Sequence, residues 1–151
     1  MENNETLLKP ATIFAFLKIF PLIFLSVIFL LLAYWLSPMF LLFSFGCIGF
    51  AWYRFLYIRN IEYLITPEII RISRGIFFKR IDRVELFRVK DYIVTQSFTH
   101  QIFKLMDVTL KAQDPENPII WLRGIPFSNI IDTLREHVNE ARQHNRIYEL
   151  N

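Results

Sequence analysis

The chain has 151 residues, 54% of them hydrophobic and 17% aromatic, with a formal net charge of +3. That length holds one modest domain plus a further element, and so weak a positive balance, without groove-reading or base-stacking motifs, gives no footing for a nucleic-acid partner. The single cysteine, Cys47, excludes an internal disulfide framework and any CxxC metal or redox pair.

Charge is unevenly placed. Up to Ile58 the only bases are Lys9, Lys18 and Arg54, whereas 14 bases and 12 acids follow. Two solvents are indicated, lipid first and water second. Residues 1–12 form an N-terminal tail. Residues 19–36 then read IFPLIFLSVIFLLLAYWL without a charge, and the apolar character reaches back to Ile13 apart from Lys18. About 20 helical residues cross a ~30 Å hydrocarbon core. Pro21 is expected near the helix entry, where a missing N–H costs least, and Lys18 can snorkel to head groups. A cleavable signal peptide does not fit: the apolar core is too long, no small-residue cleavage pair follows Trp35, and a second apolar run begins within a few residues.

That second run, residues 39–58, carries one charge, Arg54, near its end. Ser37 and Pro38 separate the runs, so residues 13–58 are expected to form an antiparallel transmembrane hairpin. Ser44, Cys47 and Ala51 recur at a small-residue spacing that permits close helix approach, while Gly46 and Gly49 could equally be ordinary membrane glycines. Lys9, Lys18, Arg54 and Arg59 flank the outer ends of the hairpin and the turn has no base, so the positive-inside rule puts both termini in the cytoplasm, in a cytoplasmic (inner) membrane. Tyr34 and Trp35 would mark the far interface, and Trp52, Tyr53 and Tyr57 the near one. Arg54 is a functional candidate as an intramembrane base, but about a turn from the boundary it reads rather as a snorkelling side chain.

From residue 59 to 146 the pattern alternates in short runs, at 61–65, 69–74, 76–81, 84–89, 92–97, 107–112 and 119–123, with a less regular stretch at 98–106. Seven short strands with Gly, Pro and Asn between them predict an antiparallel barrel or sandwich. After Gly124-Ile125-Pro126, Ile130, Ile131, Leu134, Val138 and Ala141 recur at helical spacing, with Ser128 as N-cap and Asp132 in the first turn. This amphipathic helix is expected to cap the barrel, and residues 147–151 to form a tail.

Tyr63 with Thr66, Arg74-Gly75 closing the first hairpin, the strand ending Gln96-Ser97, and Asp107-Val108 opening the next strand carry a resemblance over residues 60–142. The segment resembles the bacterial pleckstrin-homology-like (PH-like) domain of the YdbS type, which follows a pair of membrane helices. Where such domains often have an arginine and then glycines after the Gln-Ser strand, this chain has Gln101, Lys104 and Met106. The resemblance implies a recognition or scaffold role.

No enzyme signature, metal-ligand spacing or cofactor motif is present. His100, His137 and His144 stand apart from any HxxxH or HExxH pattern and read as surface histidines. Asp82, Glu85 and Asp91 read as surface ion-pair partners rather than a general acid/base pair. The conspicuous feature is Arg71, Arg74, Lys79, Arg80, Arg83, Arg88 and Lys90, seven bases against two acids within residues 71–90. Anionic lipid attracts each such base by about 1 kcal/mol near a bilayer; the competing reading is a set of outward strand positions charged for solubility. The expected function is a membrane-anchored binding module that docks on membrane lipids or an integral membrane protein partner. The alternative is a homo-oligomer assembled through the hairpin and the PH-like domains.

Overall fold

The computed structural model describes residues 5–115 and 117–149, the side chains of 144–149 excepted. Two apolar helices, α1 (Thr12–Trp35) and α2 (Phe40–Arg59), lie side by side, and each is long and apolar enough to cross a membrane. Their contact runs along small residues. Ser44 is buried against Ser26, donating to its carbonyl oxygen at 3.1 Å, and Ala51 and Ala15 are buried in the same seam. Gly46 and Gly49 are not in it, since a methyl group added at either would meet nothing within 4 Å. Helix α1 starts earlier than its charge-free run, so Pro21 lies in the helix interior rather than at its entry, leaving the Leu17 carbonyl without an i+4 donor.

The strands form two antiparallel sheets. One orders β1 (Thr6–Leu8), β2 (Glu62–Ile65), β3 (Ile69–Arg74) and β4 (Arg80–Glu85); the other orders β5 (Val89–Thr95), β6 (Leu105–Ala112) and β7 (Ile119–Pro126). Among the described residues there are seven strands, but not the seven expected. β1 comes from the N-terminal tail and pairs Leu8 with Tyr63 and Thr6 with Ile65. Residues 76–81 are not a strand: 75–79 make the β3–β4 turn, and β4 begins at Arg80. Residues 84–89 likewise divide among the end of β4, a 3-10 turn at Leu86–Arg88 and the first residue of β5. The irregular stretch holds a short helix, α3 (Phe98–Ile102), capped by the Ser97 hydroxyl.

Strand alternation places Ile65, Ile70, Ile72, Val84, Val108, Leu110, Ile120 and Leu122 in one core. The C-terminal helix, α4 (Ile130–Glu149), lays Leu134 and Val138 on it, and Leu134 is only 2% exposed. Its first backbone bond ends on the Asn129 carbonyl, which puts Asn129 rather than Ser128 at the N-cap position. The helix takes in residues 147–149 of the expected tail; residues 150 and 151 and the side chain of His144 lie outside the described residues. The sheets meet without hydrogen-bonding into a closed barrel. His100 and His137 are buried, not at the surface. His137 follows the apolar stripe of α4, and the ring of His100 lies 5.7 Å from that of Phe14.

Candidate functional site

The domain is fixed to the hairpin at a bulge in β7. Between Met106 and Val108 the register slips, so that Arg123 and Gly124 together face Asp107. Gly124 has φ +64°, and the Asp107 carboxylate accepts its N–H at 2.7 Å, the arrangement expected where a glycine turns a bulge through the left-handed region. The Gly124 carbonyl accepts the Ala11 N–H at 2.8 Å, and the Phe14 ring occupies the space a side chain at 124 would need. Leu105, Phe14, Ala15 and Ile58 bury one another at this joint. Nearby, the Tyr63 hydroxyl accepts the Arg123 N–H at 3.2 Å, and burial pushes the Tyr63 phenol above its usual range. Lys9 pairs with Glu62 at 2.7 Å, a hydrogen bond that holds the Glu62 carboxyl below its usual range.

Beside the joint opens a cavity of about 580 Å³. Four bases from four different elements line it: Lys18 of α1, Arg54 of α2, Arg74 at the end of β3, and Arg123 of β7. No acid does. The Arg123 guanidinium lies over the Trp121 ring, 4.3 Å from its centre, which β7 permits because residues two apart share a face. Arg74 donates from one terminal nitrogen to Asp82 at 2.6 Å, while its buried Nε has no hydrogen-bond partner among the described residues. Burial raises the Asp82 carboxyl, but hydrogen bonds from Arg80 (2.8 Å) and Arg74 lower it by more, so it stays below the usual Asp range. The arrangement suits an oxyanion, because guanidinium forks match the geometry of phosphate and carboxylate.

The seven-base run does not make one face. Arg74 reaches the cavity, and Arg80 joins it on Asp82. Arg71 and Arg83 are cross-strand neighbours one position out of phase with the buried Ile70, Ile72 and Val84, hence on the outer surface. Lys79 lies in the β3–β4 turn. Arg88 pairs with Glu85 at 2.7 Å, and Arg83 and Arg88 line a second cavity at the other end of the sheet. Lys90, the second residue of β5, is near that end but in the other sheet. Of the expected interface residues, Lys18, Tyr53, Arg54 and Tyr57 line the first cavity. Trp52 is exposed and stacks on Phe55, Arg59 donates to the Thr12 hydroxyl, and Trp35 is exposed at the far end of the hairpin. Trp121 and Arg123 were not singled out from sequence, although their i,i+2 spacing on a strand is the signal that could have found them.

Residues 11–142 match the pattern of the bacterial PH domain. The chain belongs to that family. The match begins at Ala11, so it takes in the helical hairpin with the sheets. Two antiparallel sheets and a C-terminal helix are the PH-like part, and PH-like domains are generally non-catalytic binding modules. No curated protein matches the chain, and no solved structure does.

Proposed function

We propose that this PH-domain protein is a non-enzymatic binding module anchored in the cytoplasmic membrane by its hairpin, with both termini cytoplasmic, and that it holds an anionic phospholipid head group in the cavity at the joint. The observation that carries the reading is the lining: Lys18, Arg54, Arg74 and Arg123, with no acid among the described residues, at the open end of two apolar helices. A phosphate beside the near ends of a membrane hairpin is at head-group depth, and each base near the surface adds about 1 kcal/mol of attraction to anionic lipid. Trp121, Tyr53 and Tyr57 supply amphipathic rings of the kind enriched at that depth.

Phospholipid that stays with the full chain through purification in mild detergent tests this. Mass spectrometry should find it richer in anionic species than the membrane it came from, and Arg54→Gln/Arg74→Gln/Arg123→Gln should bring the ratio back to that of the membrane. Equal enrichment in parent and variant would contradict the site. The orientation is tested separately: a reporter active only outside the cytoplasm, fused after Asn151, should be silent.

A further inference from the structure

Two sets of large apolar side chains are left uncovered at the end of the domain that meets the hairpin. One is the β3–β4 turn, where Phe77 is 84% and Phe78 93% exposed, beside Lys79 and Arg80. The turn is a defined one. Gly75 at φ +118° opens it, and any side chain there would strike the Phe78 carbonyl. The other set is α3 and its exit, where Phe98, Ile102 and Phe103 are exposed.

Their level in the molecule follows from the contacts already described. Glu62, three residues past the end of α2, faces Ser73, so the register carries residues 75–79 beyond Glu62 toward the last turn of α2. Arg74, immediately before the turn, shares a cavity with Lys18 and Arg54 of the helices. Lys79 adds to the field that lowers the Glu62 carboxyl. On the other side, His100 of α3 packs on Phe14, and Leu105 is buried with Phe14, Ala15 and Ile58. Both sets therefore flank the near ends of the two apolar helices.

We infer that the domain stands on the cytoplasmic leaflet on two apolar feet, the Phe77-Phe78 turn and the Phe98-Ile102-Phe103 helix, which enter the boundary between head groups and acyl chains. The inference rests on the membrane reading above. The occupant is lipid because the feet continue the apolar surface of the hairpin at the depth where its bases lie, and because Lys79 and Arg80 beside the turn match anionic head groups. Aromatic side chains with adjacent bases suit that layer, rings in the acyl boundary and charges among phosphates. The feet fix the tilt and height of the domain, so the cavity opens where the phosphates are.

The test uses the full chain in nanodiscs of phosphatidylglycerol and phosphatidylcholine. With Cys47→Ser as background, Phe78→Cys, Phe98→Cys, Glu68→Cys and Ile28→Cys are labelled singly with an environment-sensitive fluorophore. Labels at 78 and 98 should shift to the blue and be quenched several-fold more than that at 68 by lipids carrying a nitroxide near the top of the acyl chain. A label at 78 or 98 as open to water as that at 68, with the one at 28 quenched by lipids whose nitroxide lies near the end of the acyl chain, overturns the feet and leaves the hairpin in the membrane. No quenching at 28 overturns both readings. Shielding at 78 and 98 that persists in detergent at the mass of a dimer assigns the surface to a second copy and overturns the lipid footing.

Discussion

Gly124 joins the hairpin to the domain, and no other residue type fits there. A β-carbon would lie 2.1 Å from the Phe14 ring at a φ of +64°. Gly124→Ala should cost about 2–4 kcal/mol, from overpacking and a strained left-handed alanine, seen as a lower melting temperature of the full chain in detergent. In a Phe14→Ala background the added cost should shrink by about 1 kcal/mol or more, since residues in contact couple; equal costs would separate the glycine from the ring. Asp82 is a second such point. Its carboxyl is held low by Arg80 and Arg74 against burial, so its stabilisation is complete above the ordinary carboxylate range and is lost as pH falls below it. Asp82→Asn should cost about 1–3 kcal/mol at neutral pH and lack that share of the acid-induced loss; acid melts of parent and variant decide it. The residues that carry the family resemblance now have physical work. Tyr63 and Asp107 bind the backbone of Arg123 and Gly124, Thr66 closes the β2–β3 turn through Ile69, and Gln96 donates to Leu105 at 3.0 Å. Lys104 takes φ 51°, a left-handed conformation that residues with a side chain adopt only rarely.

Among the elements, those with a repeating pattern were legible. Ile70 and Ile72 against Arg71 and Ser73 define β3, the run around Leu134 and Val138 defines α4, and two apolar runs about a Ser-Pro turn define the hairpin. Short or mixed elements were not. Residues 76–81 begin with an apolar triplet that reads as strand, yet the triplet is the exposed turn, because Gly75 starts the reversal before it. β1 has three residues and a partner more than fifty positions away, a pairing that no local pattern encodes. It covers the edge of β2, which otherwise presents unpaired backbone groups. A chain beginning at Asn60 should therefore lose about 1–4 kcal/mol from missing strand bonds, besides the buried contacts of Phe14, and should self-associate through β2. Size-exclusion and circular dichroism, compared with a chain that retains β1, check this; a stable monomer would show β1 to be dispensable.

At the scale of the whole molecule, hairpin and domain share one joint, and the cavity lies beside it. Its bases, Lys18, Arg54, Arg74 and Arg123, are scattered over the chain without a motif, so only the fold brings them together. The conspicuous run at 71–90 is instead divided between two faces and two ends of the first sheet, with Lys90 in the second, because strand alternation and turns intervene. Lipid affinity tests the central claim most directly: native mass spectrometry of the full chain titrated with phosphatidylglycerol or phosphatidylcholine, at low and moderate salt, with glycerol phosphate as the free-phosphate competitor. The parent should prefer phosphatidylglycerol. Arg54→Gln/Arg74→Gln/Arg123→Gln should weaken that binding by about 3 kcal/mol, roughly a hundredfold, the preference should shrink with salt, and glycerol phosphate should not displace the lipid. Equal binding of the two lipids by the parent, or an unchanged affinity in the variant, would contradict it.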